Sequence, residues 1–229
     1  MMSNLREYIK ESSSKKPEHY FVAGNTTVFV KDPLPDNIEI SELLNRLESK
    51  IPNYFMHNID VIYVGQFDIL NIKEVNALYS DGAIYVTNAQ DDVQDMLDDI
   101  IHEIAHSLEE IYSAEIYADQ NIEGEFLGKR VRLQRIFKSH DHDISAHDFK
   151  QTEYSPDLDE LFYKEIGYPT MRSLTSGLFY SPYAATSLRE YFANGFENFY
   201  LGDRNYLKQI SPKLFEKIYL IHQLGDTEI

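Results

Sequence analysis

The stretch DDIIHEIAHSLEE, Asp98–Glu110, sets two histidines, His102 and His106, four residues apart with Glu103 between them. On a helix that spacing projects both imidazoles from one face, a turn apart, where they can reach a single metal ion. Glu103 then lies to one side, able to touch a water on the metal without ligating it. The helix is legible too: Val93, Met96, Leu97, Ile100, Ile101, Ile104, Leu108 and Ile111 recur at three- and four-residue spacing as one apolar stripe. His102 and His106 fall on the opposite side from that stripe. The bland alternative is a pair of surface histidines on an acidic helix.

Composition narrows the chemistry. The chain has 229 residues, 43% of them hydrophobic, with 17 Tyr and 13 Phe, enough to fill a sizeable core. The formal net charge is -17, which repels phosphate backbones and anionic lipid, so neither nucleic acid nor a membrane is an expected partner. There is no cysteine, which excludes disulfides, thiolate metal sites and a cysteine nucleophile. Any metal must be held by His, Asp, Glu or Tyr. MMSNLREYIKESSSKKPEHY, at the start, lacks the apolar core of a signal peptide, and no run reaches the roughly 20 apolar residues of a membrane span. The expectation is a soluble protein, cytoplasmic as synthesised, with export by a non-classical route left open.

Around the His pair the pattern predicts an α+β chain of one domain, 1–229, with a mixed half over 1–90 and a helical half over 91–229. YFVAGNTTVFVKD reads as a hairpin turning at Gly24-Asn25, Ile40 to Ile51 as a helix, Ile59 to Phe67 as a strand and Asn76 to Asn88 as a second hairpin folded at Asp81-Gly82. The His-bearing helix spans 91–113. Further helices are expected at Asn121 to Lys138, where apolar positions scatter, at Asp157 to Ile166 ending on Gly167, and at Ser187 to Leu201. The last, Ser211 to Leu224, has Ser211 as N-cap, Pro212 in the first turn and Gly225 past the end.

A catalytic metal needs a third protein ligand and an open position. Glu190, in SPYAATSLREYFANGFENFY, is the best candidate, because Glu190, Asn194 and Glu197 form a polar stripe on an otherwise aromatic helix. Ser187-Leu188-Arg189-Glu190 is equally a capping box, in which Glu190 merely closes the helix start.

HEIAH followed by SPYAATSLREYFANGF resembles the gluzincin zinc metallopeptidases, and within them the group containing the catalytic domain of anthrax lethal factor and the secreted Pro-Pro endopeptidases. The resemblance covers about residues 55 to 225. It implies a zincin-like fold and one Zn²⁺ per chain on His102, His106 and Glu190, the last opening the EYFA run. It further implies Glu103 as general base and Tyr183, seven residues before Glu190, as donor to the oxyanion. The substrate would then be a peptide or protein, paired with an edge strand at Asn76, Ala77, Leu78 and Tyr79 or at Ala83 to Val86. The chain departs from the group in two ways. Residues 107–189, 83 in all, separate His106 from Glu190, so a helical insertion at about 114–179 is expected beside or over the cleft. Position 194 carries Asn where a carboxylate often steadies a histidine ligand, which leaves that task to Asp99 or Glu197. A zincin-fold protein that binds without turnover is the competing reading.

Two runs carry less weight. His140, His142 and His147, in SHDHDISAHD, read as a solvated loop rather than a second metal site. Lys129, Arg130, Arg132, Arg135 and Lys138 share no helix face and read as a solvated helix rather than a docking patch.

Overall fold

The computed structural model describes residues 18–23 and 25–227. Gly24 of the first turn and the stretch read for a signal peptide up to residue 17 lie outside them. Five strands form one sheet: β1 (Glu18–Val22), β2 (Thr26–Val30), β3 (Val61–Val64), β4 (Ala77–Ser80) and β5 (Ala83–Val86), in the order β1-β2-β3-β5-β4. The outer pairs are antiparallel hairpins, whereas β2-β3 and β3-β5 are parallel. The mixed α+β class is as the sequence predicts. Asp81 and Gly82 both have positive φ, 49° and 78°, as a two-residue hairpin turn with the strand twist requires.

Alternation decides which sheet face is buried. Val28, Ile62, Val64, Ile84 and Val86 are within 1% of full burial and pack on two helices, α1 (Ile40–Lys50) and α3 (Val93–Tyr117). Phe29, Tyr63 and Tyr85 alternate with them and line up ring to ring on the half-buried opposite face. The strand expected at Ile59–Phe67 stops at Val64, because Gly65 takes a φ of 155° and Phe67 precedes the short helix α2 (Asp68–Lys73), which the sequence reading missed.

In α3, Asp92 caps the first turn by accepting from the N–H groups of Gln94 and Asp95. The predicted stripe is buried as far as Leu108, but Ile111 is 50% exposed. The helix loses regular geometry at Tyr112 (φ -107°, ψ 24°), and Tyr112 and Ile116 take over the buried side.

Six helices follow: α4 (Asn121–Ser139), α5 (Pro156–Glu160), α6 (Tyr168–Thr175), α7 (Leu188–Leu201), α8 (Arg204–Ile210) and α9 (Pro212–Thr227). The segment predicted as one helix over 157–166 is α5 running into a wider π-type turn, Leu161–Gly167, and α6 and α8 were not foreseen. The basic run corrects the sequence reading most sharply. Lys129 and Arg130 are buried, not solvated. The Nζ of Lys129 donates to Ser211 Oγ at 2.5 Å, and the Arg130 guanidinium lies over Phe126 and Phe149. Burial lowers Lys129 to about 8 and Arg130 to about 10. The apolar pattern of α4 scatters because these two stems occupy core positions between Phe126 and Leu133.

Gly225 is inside α9 rather than past its end, with the Tyr54 ring where a Cβ would sit. Gly195 plays the same part in α7, since a Cβ there would meet Leu214 atoms of α9 at 2.3 to 3.1 Å. Gly195→Ala should therefore overpack the α7-α9 contact, costing about 2 kcal/mol and lowering the thermal midpoint by roughly 4–8 °C. Calorimetry of the two proteins checks this.

Candidate metal centre

The functional elements meet where α3 crosses α7. His102 and His106 leave α3 toward Glu190 in the first turn of α7, and one ligand atom from each of the three lies within 4.8 Å of the others. Both imidazoles present Nε2: Glu190 Oε2 is 2.9 Å from that of His102 and 3.7 Å from that of His106. Ser187 Oγ accepts the Glu190 N–H at 3.1 Å, so the serine half of the capping box forms. The Glu190 carboxylate does not fold back on the helix but points at the histidines. Two imidazole nitrogens and a carboxylate oxygen converging in this way can hold a metal ion.

The rear of each ring supports the same reading. His102 Nδ1 faces Glu197 Oε2 at 3.4 Å, and His106 Nδ1 faces Glu109 Oε2 at 2.7 Å. A carboxylate behind each ligand imidazole fixes its tautomer and orientation. Asp99 accepts from Gln90 at 2.7 Å and makes no hydrogen bond to a histidine among the described residues. Asn194 donates to Glu197 at 3.3 Å, so it reaches His102 only through that glutamate. Sequence reasoning missed Glu109, although its place three residues after His106 is one at which helix side chains meet. Arg189 and the Tyr117 hydroxyl also bond this carboxylate. Burial would raise it, but His106 foremost, with Tyr117 and Arg189, keeps Glu109 below the usual carboxylate range.

Glu103 is buried beside the pair, and its Oε2 accepts the Tyr79 N–H at 2.6 Å. Tyr79 belongs to β4, which is the sheet edge, so the carboxylate bridges the helix and the outward side of that strand. Asn76 and Ala77 line the groove beside it, whereas Leu78 pairs inward with Tyr85. The Tyr183 ring centroid is 6.0 Å from that of His102, and its hydroxyl bonds none of the described residues. Burial, with Glu190 and Glu103 nearby, raises the phenol well above its ordinary value, so it stays protonated. A groove of about 660 Å³ is lined by His102, Glu103, Tyr183, Asn76 and Ala77 among others. Tyr168 of α6 lines one wall, which puts the segment expected as an insertion beside the cleft. The His140, His142 and His147 run does not enter any metal-capable group among the described residues. His140 Nδ1 instead lies 2.9 Å from the carbonyl of Ile136 at the end of α4.

No family model matches this chain, and no curated protein matches it either.

Burial opposes charge on both rings, yet Glu190 and Glu197 raise His102 to about 10, while Glu109 and Glu190 raise His106 to about 9. Burial would likewise raise Glu190, but the two imidazoles hold it far below the usual carboxylate range. This pairing stabilises the metal-free fold fully between about pH 4.5, above which Glu190 is ionised in either state, and about pH 6.5; it is lost as pH rises through 9 to 10 and weakens as pH falls below about 4.5. A metal ligand must be neutral imidazole, so loading near pH 7 should release about two protons, and affinity should rise with pH up to about 10. Titration calorimetry in buffers of different ionisation enthalpy measures that release. Glu109→Gln should weaken metal affinity roughly 10–100-fold by loosening His106, as read by competition with a chromophoric chelator.

Proposed function

We propose that the protein is a zinc-dependent endopeptidase of zincin-like fold. The observation that carries this reading is the meeting of His102, His106 and Glu190 with Glu103 beside them and Tyr183 across from them, in an open groove along a sheet edge. Nitrogen and oxygen donors in a two-histidine, one-glutamate set suit Zn²⁺ in a catalytic rather than a structural role. When bound, the ion would supply a Lewis acid that acidifies water and polarises a peptide carbonyl.

The chain's own residues supply the rest. The outward backbone at Ala77 pairs with an extended peptide and lays it across the groove. Tyr79 donates its N–H to Glu103 and so aims its side chain, and Glu103 takes a proton from the attacking water and returns it to the leaving amine. Tyr183 keeps its phenol proton and donates it as a hydrogen bond to the oxyanion that develops on the carbonyl.

Glu103→Gln should retain the metal and lose nearly all peptide cleavage, as followed by mass spectrometry of a peptide library alongside metal analysis. Cleavage at the wild-type rate by that variant would refute the reading. Tyr183→Phe keeps the ring, so stability and metal content should stay unchanged while kcat falls on the order of 10²–10³ with a smaller change in KM.

A further inference from the structure

The groove is charged on one side only. Asp95, Asp98 and Asp99 stand on the same face of α3 as His102 and, with Asp91 and Glu74, line the end of the groove beyond Asn76. None of these five carboxylates forms an ion pair with Lys or Arg among the described residues, and no Lys or Arg lines the groove with them; its one basic group is His102, at the metal end. A second observation comes from the groove floor beside Glu197. Asn194 is 6% exposed and lies in the groove floor. Its N–H is used on Glu197, and its side-chain oxygen has no hydrogen-bond partner among the described residues. An acceptor and five carboxylates without a Lys or Arg partner suit a cationic ligand rich in N–H groups.

Direction follows from the sheet. The Thr87 N–H bonds the Asn76 carbonyl, which turns Asn76, Leu78 and Ser80 toward β5 and the backbone of Ala77 and Tyr79 toward the groove. A peptide laid antiparallel to β4 reaches the Ala77 end with its C-terminal part. Asp95 is seven residues before His102, about 10 Å along the helix axis, or roughly three residues of extended peptide. Resting on the peptidase reading above, we propose that this end of the groove binds arginine or lysine side chains about two to four residues after the bond presented to Glu103.

Fluorescence anisotropy with zinc-loaded, full-length Glu103→Gln protein tests it. The probes are three labelled nonapeptides, with three arginines in the C-terminal half, three in the N-terminal half, or three glutamines. At low salt the first should bind roughly tenfold tighter than the other two. That ratio should collapse in 0.5 M NaCl and in the Asp95→Asn/Asp98→Asn variant, with its fold verified by circular dichroism. Equal affinity for all three probes, tighter binding of N-terminal arginines, or a preference that survives the double substitution would overturn the proposal. Wild-type protein cutting the first probe on the N-terminal side of its arginines supports both readings. An arginine preference with no cleavage of any probe refutes the peptidase assignment and supports the cation site.

Discussion

Glu190 reaches across from α7 to two histidines of α3, and that bridge ties charge to burial throughout the core. Three ionisable side chains are drawn out of water at one point, which is costly unless each is paired. The pairing is complete: Glu190 lies between the two rings, and Glu197 and Glu109 hold their far nitrogens. Removing Glu190 takes from both imidazoles the carboxylate they share. The packing around them is correspondingly close, with Ala105 and Ile104 of α3 and Phe192 and Ala193 of α7 fully buried.

The carboxylate behind His102 comes from Glu197, with Asn194 behind it in turn. Glu109 does the same for His106 from within the histidine helix, itself clamped by Arg189 from the residue before Glu190. The two helices therefore hold each other's site residues, so their relative position and the geometry of the site are a single property.

The elements between α3 and α7 act as a brace behind the Tyr183 segment. Thr152 accepts the Leu188 N–H at 2.8 Å at the start of α7. Arg130 reaches the Thr186 carbonyl, and Thr186 in turn bonds the Tyr183 carbonyl through both its N–H and its hydroxyl. Glu125 of α4 caps α9 through the N–H groups of Lys213 and Leu214 while accepting from Tyr191 of α7. Long-range capping of this sort leaves no local sequence signal.

Much of the architecture was legible beforehand because its causes are local. Period-two alternation and an Asp-Gly turn mark the β4-β5 hairpin, a 3.6-residue stripe marks α3 as far as Leu108, and a four-residue spacing puts His102 and His106 on one face whatever surrounds them. The rest depended on contacts between distant segments. Whether Glu190 closes its own helix or turns to the histidines is decided by the crossing of α3 and α7. The burial of Lys129 and Arg130 is decided by aromatic rings brought in from Phe126, Phe149, Phe179 and Tyr191. Spacing along the chain sets which side chains share a face, because helix and strand repeats are short-range. Only tertiary packing sets what that face meets, since the partners lie far along the chain, as Glu197 does, 95 residues from His102.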